Sequence, residues 1–316
     1  MDAIKNITGT WFDFRHHSAF DGNYWNGHTA KFTARQWEVK VQEMTGLGME
    51  TLVLMAVAVE AKPFYPSKVL KERWELACPD PLEAVLSAAD KHQARVYLGV
   101  GFFHKDFGDA KLTEDTKRVN REVILELAER YGRHASFYGW YLPVEEGIDG
   151  HYSETYLEYA NTLSRYCRTT GSRKVLIAPY GTRRVIPDGK FVDQLKSLEV
   201  DYFAYQDEIG VEKTKNEELE QIYANLKKVH DQAGKPLWAD TEVFRFEGKV
   251  YESPLLPAPM ERIEDQLRRL SPFCEKILCY QYLGLMNPPG SEAHTGHPST
   301  VKLYEDYSRW LKKIKK

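Results

Sequence analysis

The chain has 316 residues, enough for one large α/β barrel or two modest domains. Hydrophobic residues make up 42% and charged residues 28%, the balance of an ordinary water-exposed globular fold. The net charge of −3 supplies no basic field for nucleic acid or an anionic membrane, and the longest apolar run, Leu52 to Val59, falls far short of the ~20 residues a membrane helix needs.

The chain alternates strand and helix throughout. Short apolar runs rich in β-branched and aromatic residues read as strands, and longer amphipathic runs read as helices. The pattern predicts a first strand at Ile7 to Phe14 and a helix at Thr33 to Thr45, stopped by Gly46-Leu47-Gly48. A second strand at Thr51 to Val59 precedes a helix at Pro81 to His92, with Asp80 as cap and Pro81 at its first position. Strand three, Arg95 to Phe103, leads to a long helix from Thr113 to Tyr131, and strand four, Phe137 to Val144, to one from Ser153 to Thr169. Strand five, Lys174 to Pro179, is followed by a short helix at Gly189 to Leu198, and strand six, Tyr202 to Gln206, by a helix at Asn216 to Ala233 that Gly234 closes. Strand seven, Pro236 to Thr241, precedes a helix at Met260 to Leu270, and strand eight, Lys276 to Tyr282, the last helix at Val301 to Ile314.

Strict alternation implies parallel βαβ units, and eight of them close into a (β/α)₈ (TIM) barrel. An open doubly wound sheet would carry a glycine-rich turn after its first strand. Here that strand runs into Asp13-Phe14-Arg15-His16-His17. With no linker, repeat or low-complexity segment, residues 1–316 read as a single α/β barrel domain. Met1 to Thr10 lacks a basic, apolar leader, so the compartment expected of the sequence as it stands is the cytoplasm, or the periplasm or exterior where a leader precedes it. Cys78, Cys167, Cys274 and Cys279 form no CxxC pair and read as scattered core thiols, a Cys274–Cys279 bridge being the alternative.

Helix-to-strand loops are short, whereas strand-to-helix loops are long: Arg15 to Phe32, Glu60 to Cys78, Phe244 to Pro259 and Leu283 to Thr300. In a barrel the long set gathers at the C-terminal ends of the strands, where such folds place their active sites. Strand four ends Val144-Glu145-Glu146 and strand seven Asp240-Thr241-Glu242, setting carboxyls across the barrel mouth. Two carboxyls over a cleft can cleave an acetal, one protonating the leaving oxygen while the other attacks or supports the anomeric carbon. Alternation sends Glu145 and Glu146 to opposite sides of a continuing strand, so either could be the acid. Trp140 and Tyr141 are expected to supply the apolar surface that keeps Glu145 protonated. The structural alternatives are a cap or ion pair for Glu145 and Glu146, an ion pair with Arg245 for Glu242, and a turn cap for Asp207. Trp11, Asp13, His104, Tyr180, Tyr205, Gln206 and Asp207 are candidate hydrogen-bonding groups for a polyhydroxylated ligand, with Trp25, Trp74 and Tyr282 as stacking platforms. His16, His17, His28, His294 and His297 lie in the surrounding loops.

Taken together, Gly9-Thr10-Trp11-Phe12-Asp13, Gly48-Met49-Glu50-Thr51-Leu52-Val53-Leu54, Phe137-Tyr138-Gly139-Trp140-Tyr141-Leu142-Pro143-Val144-Glu145 and Tyr205-Gln206-Asp207 carry a resemblance over nearly the whole chain. The chain resembles an uncharacterised bacterial barrel family that is grouped with glycoside hydrolases and is common in gut Bacteroidetes. More broadly, it looks like the retaining glycosidase barrels whose acid/base Glu ends strand four and whose nucleophile Glu ends strand seven. That resemblance implies Glu145 as acid/base, Glu242 as nucleophile, a carbohydrate substrate, and no metal or other cofactor. Val144 stands where those enzymes carry Asn, and Glu146 follows directly. The rival readings are a metal-dependent sugar isomerase or epimerase, with Glu145, Asp207, Glu242 and His104 as ligands, and a non-catalytic carbohydrate-binding barrel.

Overall fold

The computed structural model describes residues 4–102 and 112–315. Eight parallel strands close into a barrel: β1 (Gly9–Phe12), β2 (Thr51–Leu54), β3 (Arg95–Gly99), β4 (Phe137–Leu142), β5 (Lys174–Ile177), β6 (Tyr202–Gln206), β7 (Leu237–Glu242) and β8 (Lys276–Tyr280). Neighbours follow chain order, and β8 returns to pair with β1 through Gly9–Leu278 and Thr10–Cys279. The helices between them are α1 (Ala34–Gly46), α2 (Pro81–Lys91), α3 (Glu114–Tyr131), α4 (Glu154–Arg168), α5 (Gly189–Ser197), α6 (Leu219–Ala233), α7 (Met260–Leu270) and α8 (Thr300–Ile314). The chain is therefore a (β/α)₈ barrel, as its alternation implies.

The helix boundaries are set by short-range chemistry. The Thr33 hydroxyl accepts from the Gln36 amide while Gln36 returns a bond to the Thr33 amide, closing a reciprocal cap on α1. Asp80 accepts from the Glu83 amide, with Pro81 leading α2, and Ser153 and Asp188 cap α4 and α5 in the same way. Gly234 ends α6 at φ 66°, a left-handed conformation that costs a glycine little.

Two small antiparallel pairs sit at the C-terminal rim: Ala58–Val59 with Lys62–Pro63, and Phe244–Phe246 with Leu255–Pro257. The apolar run after β2 thus does not continue the barrel strand. It leaves after Leu54 and re-pairs locally. All four cysteines are buried and free, so Cys274 and Cys279 are not bridged. Among the described residues no helix is long and apolar enough to cross a membrane.

At the end of β3, Gly99 is pressed against the neighbouring strand. A β-carbon there would lie 2.1 Å from the Met55 carbonyl oxygen and 2.6 Å from that of Leu54. Backbone atoms cannot swing aside as a side chain would. Gly99→Ala is expected to lower stability by roughly 3 kcal/mol or to prevent folding, read as the melting temperature.

Candidate active site

The strand ends converge on a cavity of about 330 Å³ at the C-terminal face. Its walls include Glu145 beyond β4, Tyr180 beyond β5, Gln206 at the end of β6, and Asp240 and Glu242 on β7. The strand pairings place Gln206 beside Asp240, and Tyr280 beside Glu242.

β4 stops at Leu142, and the chain then turns through Pro143 and Val144. Glu145 lines the cavity with both oxygens engaged. Its Oε1 accepts from the Tyr141 hydroxyl at 2.6 Å and its Oε2 from the Gln206 amide at 2.7 Å. Glu146 takes a different part: it accepts from the Ser153 amide at 2.9 Å, at the start of α4, and does not line the cavity. Burial pushes the Glu145 carboxyl up to about 7, and the bonds from Tyr141 and Gln206 pull against that rise. Enclosure therefore favours the protonated form of Glu145, and the Tyr141 hydroxyl acts in the opposite sense to the one expected. Trp140 packs on Phe137 with ring centroids 4.7 Å apart and is not a cavity residue.

Glu242 is held from behind. Its amide donates to Asp207 Oδ1 at 3.2 Å, and its carbonyl accepts from Arg262 at 2.8 Å and Gln266 at 3.2 Å, both on α7. In front, its carboxylate Oε2 accepts from the Val211 amide, at 2.9 Å, and from no other group among the described residues. Arg245 is exposed and donates to the Phe246 carbonyl, so the ion pair with Glu242 does not form. Burial raises the Glu242 carboxyl, the Asp207 charge adds to that, and the Val211 amide opposes it.

Asp207 lies behind the wall. Thr241 and Gln266 donate to its Oδ2 at 2.6 and 2.7 Å, and the Ile209 amide to its Oδ1 at 3.2 Å. It caps the turn and orients Glu242 without facing the cavity. With four donors, Asp207 is the member of the pair that holds charge more readily, which leaves the shared proton to Glu242 in the empty site.

Asp240 lies two residues before Glu242 on the same strand, and therefore faces the same side. It is buried at the cavity wall, its Oδ1 has no hydrogen-bond partner among the described residues, and its carboxyl is raised well above the usual range. Burial is the main cause, followed by the charges of Glu242, Asp207 and Glu145. His16 and His17, in the loop after β1, also line the cavity and stack with ring centroids 4.6 Å apart. Burial drives both imidazoles down, that of His17 to about 4, so both are neutral near pH 7.

Of the candidates read from sequence, Glu145, Glu242, Tyr180 and Gln206 meet in this cavity. Asp13 does not line it. Its oxygens accept from Trp25 Nε1 and Gln281, both at 3.2 Å, and Trp25 is fully buried in making that bond. Trp11 is fully buried edge-on to Tyr141, at 5.8 Å. Tyr205 bonds to Tyr152 and His230 on its outer side. Trp74 donates to the Val59 carbonyl and lies under the Arg15 guanidinium, 4.3 Å from the ring centroid. Tyr282 is buried with its hydroxyl on Glu43. Trp25, Trp74 and Tyr282 are thus placed as loop anchors and not as a stacking wall. The aromatic wall comes from Phe244, Phe246, Tyr251 and Tyr280. His104 lies outside the described residues.

Among the described residues no group of three or more His, Cys, Asp or Glu side chains is arranged to hold a metal ion. Of the ligands considered for an isomerase, Asp207 is turned away from the cavity and already has its four donors.

A closed (β/α)₈ barrel with carboxyls from β4 and β7 in one cavity at its C-terminal face defines the class of molecule. The chain belongs to the family described as Domain of unknown function (DUF4434), whose model matches residues 7–293. No curated protein matches the sequence. Among solved structures the chain is similar to a Bacteroides thetaiotaomicron VPI-5482 protein provisionally named an alpha-L-fucosidase, at 20% identity and a TM-score of 0.78, covering 98% of this chain and 94% of that one. It is also similar to the endo-beta-1,4-mannanase of Thermotoga petrophila, at 11% identity and a TM-score of 0.61, covering 98% and 77%. A third likeness is to xylanase 10B of Thermotoga maritima, at 11% identity and a TM-score of 0.52, covering 90% and 95%. At these identities the likeness is one of fold, and the barrels that share it are named as glycoside hydrolases.

Proposed function

We propose that this barrel is a glycoside hydrolase that cleaves an oligosaccharide or polysaccharide with retention of anomeric configuration. The observation that carries the reading is the presence of Glu145 and Glu242 in one cavity, Glu145 beyond β4 and Glu242 at the end of β7; Glu242 must give up its proton before it attacks. The Glu242 carboxylate attacks the anomeric carbon while the carbon–oxygen bond breaks, and the Glu145 proton goes to the departing oxygen. Water then gives its proton to the Glu145 carboxylate and attacks the same carbon, releasing Glu242. Gln206 and Tyr141 hold Glu145 in line, and the amide and guanidinium of α7 fix Glu242 from behind. Phe244, Phe246 and Tyr251 offer apolar faces to the sugar ring, and the free edge of Asp240 offers it a hydrogen bond. The fold shared with named glycoside hydrolases supports the same reading, with carbohydrate as the ligand.

The test separates the two neighbouring acids. On aryl glycosides, Glu145→Gln is expected to lower kcat/KM by ~100-fold or more for substrates with poor leaving groups. Substrates with good leaving groups suffer less, because they need no proton. Glu146→Gln is expected to stay within ~3-fold of the parent, since its amide oxygen can still accept from the Ser153 amide at the start of α4. The reverse ranking would move the acid to Glu146. Parity of both variants with the parent would remove the acid/base role from this strand.

A further inference from the structure

Charge is not spread evenly over the active-site cavity. Asp21, Glu145, Glu208, Asp240 and Glu242 supply its carboxyls, and Lys213 is the one Lys or Arg among the described lining residues. Lys213 marks the entrance to a second cavity of about 240 Å³, which shares Tyr180, Glu208 and Lys213 with the first and adds Gly181, Arg183 and Arg184. Three cations therefore border one small space that opens from the proposed cleavage site.

The cations are held in place without a close salt bridge among the described residues, although the Glu208 charge and a hydrogen bond with Tyr251 both favour the charged form of Lys213. The Lys213 Nζ lies 5.1 Å from the Tyr180 ring centroid and 5.5 Å from that of Tyr251, and it makes no salt bridge among the described residues. The carboxylate nearest in the lining, Glu208, is occupied: its Oε2 accepts from the Gly181 amide at 2.8 Å, the Thr182 amide at 3.0 Å and the Thr182 hydroxyl at 3.2 Å. Among the described residues Arg183 and Arg184 face carboxylates only at long range, Glu218 at 3.9 Å and Asp149 at 3.6 Å, on exposed side chains. Pairs of that kind contribute little and yield readily to a better acceptor.

The backbone explains the placement. Gly181 adopts φ 78°, where a β-carbon would lie 2.4 Å from the Ile148 carbonyl, so the turn that carries the two arginines is wedged against the β4 loop. Glu208, itself at φ 56°, ties that turn to the β6 loop, and its carbonyl accepts from the Lys213 amide at 3.1 Å. A non-glycine residue in the left-handed region persists only where its surroundings enforce it. A neutral sugar needs no such cations.

We infer that the substrate carries an anionic group, a carboxylate or a sulfate ester, which Lys213, Arg183 and Arg184 bind in a subsite beside the cleavage site. The inference rests on the glycosidase reading for its substrate class, but binding tests it without turnover. Calorimetric titrations use the full chain bearing Glu242→Gln, so that no cleavage intervenes. The probes are trigalacturonate and its methyl ester, and a sulfated galacto-oligosaccharide and its desulfated form. One acid of a pair is expected to bind ~10-fold or more tightly than its neutral partner, the ordinary difference for a charge-assisted contact worth ~1.4 kcal/mol. Which pair discriminates tells carboxylate from sulfate. Lys213→Met should erase the preference and Lys213→Arg retain it, with Arg184→Gln giving a partial loss. Equal binding within both pairs, absence of binding by all four probes, or a preference that survives Lys213→Met would each overturn the subsite. If Lys213→Met fails to fold, the acid–neutral comparison decides alone. The glycosidase reading fails separately, when the unaltered chain releases no reducing end from any glycoside.

Discussion

Glu242→Gln is expected to reduce turnover by ~10³-fold or more, about 4 kcal/mol of barrier, while saccharide binding survives. The amide keeps the volume and can still accept from the Val211 amide, so the wall stays closed. What it cannot do is form the glycosyl–enzyme bond. The comparison is informative because Glu242 also sits among buried acids. At pH values where Glu242 ionises, its replacement relieves repulsion with Asp207, so there the variant should melt at or above the temperature of the parent. Inactivity together with undiminished stability would separate a chemical role from a structural one. Loss of binding in step with loss of turnover would instead make Glu242 a ligand-holding residue and not the nucleophile.

The second large effect is on stability against pH. Asp13 and Glu145 are pushed up to about 7 by burial, and Glu242 and Asp240 are raised as well, again chiefly by burial. For an acid whose folded pKa exceeds its unfolded value, the favourable contribution is complete below the unfolded pKa, near 4, and is lost as pH rises through the folded one. His16, His17 and His230 act the other way: their folded pKa values are depressed, so acidification below ~6.5 charges the unfolded chain first and favours unfolding. The two sets oppose each other between about pH 4 and 6.5, and above that range only the carboxyls act. Stability is therefore expected to fall from pH 6.5 to 9, by about 1.4 kcal/mol per pH unit for each carboxyl still protonated. Asp240→Asn should flatten that slope by the share of one carboxyl. Denaturant titrations at fixed ionic strength measure both slopes. A parent stability independent of pH over this range would contradict the protonated state of the cluster.

Alternation of apolar periods was enough to read the barrel, because each strand run is bounded by turn residues and each helix by a cap such as Asp80 or a stop such as Gly234. The strand ends were less legible. Apolarity continues from Leu54 to Val59 because those residues stay buried in the rim, not because the ladder goes on. β4 ends at Leu142, before the two glutamates, so strand alternation had no bearing on which of them faces the cavity. The polar residues that end strands were findable: Glu145, Gln206, Tyr180 and Glu242. Asp240 was visible only as a residue two before Glu242 on one strand, the same-face spacing that would have assigned it to the wall. Aromatic loop residues gave the poorest signal. Trp25, Trp74 and Tyr282 use their polar edges on Asp13, Val59 and Glu43, a fate sequence cannot tell from stacking on a sugar. The wall falls instead to Phe244 and Phe246, whose positions depend on a local hairpin.

The most direct measurement is to treat the unaltered protein with 2-deoxy-2-fluoro glycosyl fluorides of several sugars, including uronic acids, and to locate any adduct by peptide mass mapping. A sugar that is turned over should leave one equivalent of fluoro-glycosyl ester on Glu242, absent after Glu242→Gln. An adduct on Glu145 or another carboxyl, or turnover of the parent glycoside with inversion and no adduct, would contradict the assignment of Glu242 as the nucleophile.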